Sequence, residues 1–465
     1  LSGEATTLTT LGMIHFRAGR PDSALAAYRS ALLLRRVLGD REGEAATLAG
    51  LGEAFAGVRQ PDSALAYYRP ALALLRARRD TRAEASVLNG IGMALAASGR
   101  PDSALRVFQE ALPLHRSAGN RRGEALALRQ IGGLFQRLGG QDSALAYARL
   151  ALALHRAERN RAGEAGALSD IGTVLGNTGQ RDSALVYLRL AVALSQTAGD
   201  RRVEATALNG LGFVMNMLGR TDSAMAAYRA ALPLTRAVGD RREEANTLMR
   251  IGLLALSQGQ PDSALAFARA ALPLHRAEAN RRGEANTLNL VLQVFEALGR
   301  PDSAAKYARA VLRIGRAEGD REMQVSALNN IALLFAEVGL LDSALAYYRV
   351  ALPLVRETQD RAMEAMVLVG IGSVHEGMRQ SDSALGYFRA ALPIAREVGP
   401  QQREASALDG IGGAFHRLGR PDSAVAYYRA ALALDRTASF RLGEAVELIS
   451  LGALYQEDPT RRALG

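Results

Sequence analysis

The chain has 465 residues, of which 48% are hydrophobic but only 5% are aromatic, and it contains neither cysteine nor tryptophan. The absence of cysteine excludes disulfides and thiolate metal sites. The 57 basic and 47 acidic residues give a formal net charge of +10, and Lys306 is the only lysine. Because Ala, Gly, Leu and Arg are all abundant, we interpret the excess of arginine as a bias of composition rather than as evidence of phosphate binding.

Targeting and membrane signals are missing from the sequence. No apolar run approaches the roughly 20 residues that span a bilayer. The chain begins Leu1-Ser2-Gly3, without a methionine or a signal-type segment. We therefore expect no membrane insertion, and a soluble region, cytoplasmic or extracellular, of a larger or processed protein.

One tripeptide, Asp-Ser-Ala, divides the chain into repeats. It begins at Asp22 and recurs every forty residues as far as Asp422, which gives eleven copies without an insertion or deletion. A period of twenty to fifty residues is typical of stacked-repeat architectures, in which each repeat contacts only its neighbours. A chain of this length therefore does not need to split into several globular domains.

Each repeat contains two predicted helices, as residues 41–80 show. The apolar positions of the first helix follow the i, i+3, i+4, i+7 spacing of one helix face: Leu48, Leu51, Gly52 and Phe55. A second apolar set, from Ala64 to Leu72, follows a break at residues 59–61. The pattern predicts helices over residues 42–58 and 61–77.

The residues at the predicted helix ends agree with this interpretation. Asp or Asn, as at Asp40 and Asn120, stands before nearly every first helix and predicts an N-cap, whereas Pro400 and Phe440 predict less regular junctions. The acid of each Asp-Ser-Ala lies at the positive end of the second helix, and its small Ala suits close packing. The tripeptide therefore has a structural explanation, and we predict no catalytic role for its Ser or Asp.

These motifs resemble the tetratricopeptide repeat. The resemblance rests on Leu48-x-x-Leu51-Gly52-x-x-Phe55 followed by Ala64, Tyr68 and Ala71, and it recurs from about residue 4 to residue 455. It implies an all-α, right-handed superhelical solenoid of stacked helix–turn–helix repeats. The forty-residue period and Arg76, which replaces a helix-ending proline, depart from the usual pattern and suggest the longer-period bacterial arrays.

The resemblance implies one continuous solenoid over residues 1–456, with eleven helix pairs and one extra helix over residues 443–456. Residues 457–465 are predicted to form an irregular tail. The interior pattern continues in Leu451 and Tyr455, so we expect the extra helix to expose apolar surface. Leu292 stands where most repeats have glycine, which predicts a local separation of the paired helices.

No residue set has the pattern of an active site. His115, His155 and His275 share one repeat position, and neighbouring repeats lie too far apart for metal ligands at about 2 Å. We predict that these histidines lie on the surface. Glycines occur singly, without a phosphate-binding loop, and no nucleophile–base pattern stands apart from the repeat. We therefore predict no enzyme, no cofactor and no metal site.

The repeated arginines leave an alternative open. Those equivalent to Arg29 and Arg36 lie seven residues apart on one helix face and could form a stripe for nucleic acid or another acidic polymer. Acids equivalent to Asp22 and Glu44 recur with the same period and offer ion pairs instead. Aromatic residues that would stack on bases are scarce, so nucleic-acid binding is the third choice.

The resemblance implies that the first helices line a concave groove. Groove positions that vary between repeats are the candidate partner-binding residues: Asn89, Arg129, Asp170, Asn209, Phe213, Asn216, Arg250, Asn289, Asn329, Asn330 and Asp409. Asparagine amides offer both donors and acceptors to an extended backbone. A simply solvated polar surface is the alternative.

The leading prediction is a non-enzymatic scaffold that binds a protein or an extended peptide in this groove. The alternative is a structural protein that self-associates end to end into fibres. A uniform period and Ala- and Leu-rich ends would allow head-to-tail contacts that do not close.

Overall fold

The computed structural model describes residues 1–438 and 440–457, and within these ranges the chain forms helices and no strand. The chain divides into two compact units, unit 1 over Leu1–Asp240 and unit 2 over Arg241–Gly465. The predicted all-α class is confirmed. The prediction of one continuous solenoid over residues 1–456 stays a prediction, and each unit is considered by itself.

Unit 1 contains six helix pairs: α1 (Ser2–Arg17), α2 (Pro21–Val37), α3 (Arg41–Gly57), α4 (Pro61–Arg78), α5 (Thr81–Ala97), α6 (Pro101–Ser117), α7 (Arg121–Arg137), α8 (Gln141–Ala157), α9 (Arg161–Asn177), α10 (Arg181–Ala198), α11 (Arg201–Met217) and α12 (Thr221–Val238). Unit 2 continues with α13 (Arg241–Ser257), α14 (Pro261–Ala277), α15 (Arg281–Ala297), α16 (Pro301–Glu318), α17 (Arg321–Glu337), α18 (Leu341–Thr358), α19 (Arg361–Gly377), α20 (Ser381–Val398), α21 (Gln401–Arg417), α22 (Pro421–Thr437) and α23 (Arg441–Glu457). The predicted helices over residues 42–58 and 61–77 correspond to α3 and α4.

Odd-numbered helices are the first helices of the repeats and even-numbered helices are the second. Within each unit, a first helix packs against the second helix of its own repeat, and most first helices also pack against the first helix of the next repeat, as α9 does with α10 and α11. This stacking is that of a tetratricopeptide-like solenoid, as predicted.

The predicted N-caps are present at eight of the described junctions where Asp or Asn precedes a first helix. Asp40 Oδ1 accepts a hydrogen bond of 2.9 Å from the backbone N–H of Gly43. The same side-chain cap recurs at Asp80, Asn120, Asn160, Asp200, Asn280, Asp320 and Asp360. Pro400 provides no such acceptor before α21, in agreement with the predicted irregularity.

The Asp-Ser-Ala tripeptide has the structural role that its position predicts. Asp62 lies in the first turn of α4, after Pro61 at the start of the helix. Ala64, two residues later, is completely buried, as are Ala24 and Ala104 in the neighbouring repeats. The acid is therefore near the positive end of the helix, and the alanine permits close approach of the neighbouring helices.

A large side chain on most second helices packs against two glycines. Tyr68 on α4 contacts Gly52 in its own repeat and Gly90 in the next, where an added Cβ would lie 2.6 Å from the tyrosine ring. Three repeats have Ala instead of the large residue: Ala148, Ala268 and Ala308. Leu292, which we expected to separate its helices, is buried in the same core cluster as Ala308. The larger side chain on the first helix therefore occurs in a repeat whose second helix has alanine in place of a large residue.

The last described helix exposes apolar side chains, but not Leu451 and Tyr455, from which we predicted this exposure. Leu442 is 69% exposed and Ile449 is 73% exposed, whereas Leu451 and Leu454 on the other side of α23 are buried. Glu457, which we placed in the irregular tail, is the last residue of α23. The rest of the predicted tail lies outside the described residues.

Candidate functional site

The three histidines that share a repeat position are buried, so the prediction that they lie on the surface is wrong. His115 and His275 are 0% exposed and His155 is 8% exposed. Each lies on a second helix and points at a glycine eight residues later, such as Gly123, where a Cβ would lie 2.3 Å from His115 Cε1. Burial lowers the pKa of all three imidazoles, so that they favour the neutral form.

Asn89 holds one of these histidines. Its amide nitrogen lies 2.9 Å from His115 Nε2 and 3.2 Å from the carbonyl oxygen of Gly123. An amide that donates to both makes Nε2 an acceptor, which is the neutral form that burial also favours. The other amide atom, Asn89 Oδ1, is buried and has no hydrogen-bond partner.

The candidate asparagines do not form an open ladder of amides. Asn89, Asn209 and Asn329 are each only 4% exposed, whereas Asn289 and Asn330 are partly exposed and Asn216 is exposed. The position that we predicted to face solvent therefore packs largely into the interior. Whether any of these residues contacts a partner stays a prediction.

Unit 1 contains a groove of about 700 Å³ that crosses the first helices of four successive repeats, α1, α3, α5 and α7. The groove, called the unit 1 groove below, is lined by Phe16, Glu53, Ala56, Gly57, Tyr68, Ser86, Asn89, Gly90, Met93, His115, Asn120, Arg122, Gly123, Leu126, Arg129, His155 and Asn160. Two of the predicted site residues, Asn89 and Arg129, are therefore brought together.

The unit 1 groove combines apolar and polar side chains. Met93 is 45% exposed and Leu126 is 39% exposed, and both offer apolar surface to a ligand. Ser86 and Arg122 are exposed and polar. Glu53 is exposed on one side, but the surrounding protein partly desolvates its carboxyl and raises the pKa. The positive charge of Arg17 partly opposes that rise.

Arg129 and Asp170 join consecutive first helices at one end of the groove. Arg129 Nε lies 2.7 Å from Asp170 Oδ2, and the two side chains are about one-third exposed, at 33% and 36%. Desolvation lowers the pKa of Arg129 in part, but the Asp170 carboxylate more than compensates and keeps the guanidinium charged. Asp170 stands at the position that is glycine in five other repeats, as at Gly90, which contacts the ring of Tyr68. On the preceding helix, α8, the residue equivalent to Tyr68 is Ala148.

The other predicted site residues lie elsewhere. Asn209, Phe213 and Asn216 belong to α11 of unit 1, beyond the helices that line the groove. The remaining five belong to unit 2: Arg250, Asn289, Asn329, Asn330 and Asp409. The eleven residues therefore do not form one local site.

In unit 2, Asp409 belongs to a group of acids near α23. Burial raises the pKa of Asp409, and it raises the pKa of Glu447 to about 8 together with the charges of Asp409 and Asp435. Glu447 is 2% exposed and Asp435 is 3% exposed. Among the described residues, no group of three or more histidines or acids has an arrangement that could hold a metal ion.

Many of the repeated arginines form ion pairs, as their periodicity suggested. Arg36 Nε lies 2.9 Å from Glu44 Oε1, and the same pairing with the glutamate eight residues later recurs at Arg76, Arg116, Arg156, Arg276, Arg356, Arg396 and Arg436. Some arginines equivalent to Arg29 lie over aromatic rings, and Arg309 is 5.7 Å from the centre of Phe335. Much of the periodic positive charge is thus engaged within the protein.

Several groove residues were missed in the sequence. Leu126 and Ser86 occupy the sixth position of their repeats, and Arg122 the second, which we did not consider. The sixth position varies as much as those that we chose, since it is Ala46, Ser86, Leu126 and Gly166 in successive repeats. The same criterion of variation would have found it.

None of the described helices combines the length and apolar character that a membrane span requires.

The comparisons with known proteins agree with the geometry. A family model described as tetratricopeptide repeat matches residues 3–77, 83–157, 163–237, 243–317 and 362–437, and a second one matches residues 292–361. No curated protein matches the chain by sequence.

Solved structures resemble the chain in fold. One is a signal transduction ATPase with a tetratricopeptide repeat sensor from Pyrococcus horikoshii. Its TM-score is 0.58 at 12% identity, and the match covers 76% of this chain and 53% of that one. The apo form of the quorum sensor NprR from B. thuringiensis has a TM-score of 0.55 at 14% identity, covering 76% and 98%. The apo form of RapI has a TM-score of 0.52 at 17% identity, covering 60% and 99%. With the family model matching most of its length, the chain belongs to the tetratricopeptide repeat family.

Proposed function

We propose that this protein is a non-enzymatic interaction scaffold and that the unit 1 groove binds an extended segment of a partner protein. The observation that carries the proposal is the course of the groove across four successive first helices. A ligand that follows it must contact side chains from several repeats at once. An extended peptide has this shape, whereas a compact small molecule would occupy only part of the groove.

The chemistry of the groove suits a peptide with mixed side chains. Its volume of about 700 Å³ lies within the roughly 300–1,000 Å³ of ordinary ligand sites. Met93 and Leu126 supply exposed apolar surface, and Ser86 and Arg122 supply polar groups. Interfaces of this kind gain affinity from a few apolar anchors and orientation from the polar groups around them.

A catalytic role receives no support from the groove histidines. His115 is completely buried, and its Nε2 accepts a hydrogen bond from Asn89, so this nitrogen does not face a substrate. His155 is also buried. Two proteins of similar fold, the quorum sensor and the protein with a tetratricopeptide repeat sensor, are named as sensors, which is compatible with a binding role here.

The proposal is tested by selecting ligands from a displayed peptide library on the full chain and measuring their affinity for variants. Met93→Ala with Leu126→Ala removes exposed apolar surface from the groove and should weaken selected peptides at least tenfold. Leu150→Ala with Val186→Ala removes similarly exposed apolar side chains from second helices and serves as the control. Equal loss in both variants, or no selected peptide at all, would contradict the groove proposal.

Self-association is the second candidate, favoured by the exposed apolar side chains on α23. Leu442 and Ile449 are among the most exposed large hydrophobic residues described, and such surfaces attract partners. If this surface joins copies of the chain, light scattering should show assemblies that grow with concentration. Leu442→Gln with Ile449→Gln should abolish them, and a monodisperse wild-type protein would argue against this candidate.

A further inference from the structure

Unit 1 contains a second, smaller cavity that the repeat pattern explains. A cavity of about 210 Å³ lies between α7, α8 and α9 and is lined by Arg129, Gln130, Gly132, Gly133, Gln136, Ala144, Ala148, Asp170 and Val174. Most other second helices place a Tyr, Phe or Leu side chain at the position of Ala148. The cavity is therefore the space that the Phe108 ring and the Leu188 side chain occupy in the two neighbouring repeats.

The glycine that normally contacts the ring shows the gap directly. A Cβ at Gly92 would lie 2.7 Å from the ring of Phe108, and one at Gly172 would lie 2.6 Å from Leu188. A Cβ at Gly132 would meet nothing closer than 3.3 Å, and its neighbour there is the carbonyl oxygen of Ala144. Gly132 thus has no large side chain against it.

The other two repeats with alanine at this position have a large side chain nearby. Near Ala268, the side chain of Leu290 lies 2.8 Å from where a Cβ of Gly252 would be. Near Ala308, Leu292 replaces the glycine and is only 2% exposed. Ala148 has no such replacement, since Gly132 is retained and the residue equivalent to Leu290 is the polar Asp170.

A second missing side chain opens the cavity. Gly133 is exposed, and a Cβ there would meet nothing within 4 Å, whereas the equivalent residues in other repeats include Met93 and Phe213. Arg129 lines both this cavity and the unit 1 groove, so the two adjoin. A ligand in the groove could therefore place one side chain in the cavity.

We propose that this cavity binds a tyrosine side chain of the segment held in the unit 1 groove. The assignment rests on the proposed function for its ligand, but the cavity itself is independent of it. The cavity exceeds the roughly 150 Å³ of an engineered cavity that binds benzene. Ala144, Ala148 and Val174 provide an apolar wall for a ring, and Asp170, Gln130 and Gln136 provide polar groups for a phenol hydroxyl.

The experiment uses p-cresol, the side-chain analogue of tyrosine, and ligand-observed NMR titration of the full chain. We expect saturable binding to the wild type and at least tenfold weaker binding of toluene, which lacks the hydroxyl. Ala148→Tyr with Asp170→Gly reproduces the Tyr68–Gly90 arrangement and should weaken p-cresol at least tenfold. Absence of saturable binding to the wild type, or unchanged binding to this double variant, would overturn the proposal. Toluene that binds as tightly as p-cresol would overturn the assignment of a phenol.

A variant with a single exposed substitution distinguishes loss of binding from loss of folding. Gly133→Met restores the side chain found at Met93 and should also weaken p-cresol at least tenfold without filling the core. Gly413→Met places the same change at the equivalent position in unit 2, where Tyr428 occupies the ring position, and should leave p-cresol binding unchanged. Equal effects of the two changes would contradict the assignment to the cavity.

The groove proposal and the cavity proposal can be contradicted independently of each other. If p-cresol binds in the cavity but the displayed library yields no peptide, the scaffold function fails and the aromatic site stands. If selected peptides bind but p-cresol does not, the groove function stands and the cavity is only a packing defect.

Discussion

The amide nitrogen of Asn89 lies 2.9 Å from Nε2 of His115, on consecutive helices of the same repeat and entirely within the protein. Both residues belong to positions that the sequence suggested would face solvent. Burial makes them a polar pair in an apolar environment, and such a pair is stable only while each member keeps its hydrogen-bonding form. Its consequences can be measured.

The stability of the protein should depend on pH through His115. Burial lowers the pKa of His115 in the folded state, so below the ordinary pKa of about 6.5 the unfolded chain binds a proton that the folded chain resists. The contribution is therefore present above about pH 6.5 and is lost as pH falls. Asn89→Ala with His115→Leu reproduces the Ala49–Leu75 pair of the preceding repeat and should reduce the loss of stability between pH 7.5 and pH 5. Urea unfolding of the wild type and the double variant at both pH values measures this loss of stability. Equal pH dependence of the two proteins would contradict the prediction.

Gly90 should not tolerate a side chain. A Cβ on Gly90 would lie 2.6 Å from Cζ of Tyr68, whose ring is buried and cannot move freely. Gly90→Ala should therefore destabilise the protein by about 1–3 kcal/mol, the usual cost of overpacking. Gly133→Ala is the matched control, because nothing lies within 4 Å of its Cβ. The control should gain about 0.5–1 kcal/mol from lower backbone entropy, and a loss of similar size in both variants would argue against the ring contact as the cause.

The ion pairs with glutamate should differ in importance according to burial. Glu284 is 5% exposed and contacts Arg276 at 2.7 Å and Arg281 at 3.0 Å. Burial by itself would raise the pKa of Glu284, but the hydrogen bonds from these arginines outweigh it and leave the pKa lowered. Arg276→Ala with Arg281→Ala should cost about 1–3 kcal/mol, because it leaves a buried carboxylate unpaired.

The exposed pair Arg100–Asp62 provides the comparison for that measurement. Its atoms lie 3.0 Å apart, but the two side chains are 49% and 77% exposed. Arg100→Ala should change the unfolding free energy by about 0–1 kcal/mol, as is usual for surface pairs. Denaturant unfolding of both variants in the full chain would reveal the difference, and equal costs would show that burial of the glutamate does not matter.

Unit 2 should lose stability as pH rises through the range in which Glu447 titrates. Burial and the neighbouring Asp409 and Asp435 raise the pKa of Glu447 from 4.5 to about 8. The folded state therefore holds a proton that the unfolded chain releases between these values, and the contribution of Glu447 is full below pH 4.5 and lost as pH rises to about 8. Glu447→Gln removes this titration and should raise the thermal midpoint at pH 9 relative to the wild type.

Glu444→Gln is the matched control for that change. Glu444 lies on the same helix but accepts a hydrogen bond of 2.8 Å from Arg436. Removing its charge weakens an ion pair and should give no gain at pH 9. Stabilisation by both substitutions would indicate a general effect of net charge rather than the buried position of Glu447.

The sequence alone determined the repeat, its helices and their ends. The spacing of Leu48, Leu51 and Phe55 and the cap at Asp40 were sufficient because a helix face and an N-cap involve residues only a few positions apart. The family resemblance followed from the same local patterns. The candidate groove was predicted only in part, since Asn89 and Arg129 line it while Phe213 and Asn216 lie beyond it.

Only the tertiary structure decided which polar residues are buried and where space is left. His115 is buried because the next repeat supplies Gly123 against it, and the cavity at Ala148 exists because neither Gly132 nor Asp170 fills the place of a ring. Each of these outcomes depends on pairs of residues from different helices, and the period of one repeat does not show which residues face each other. Burial is a property of two packed surfaces, and for that reason it became visible only when the helices were brought together.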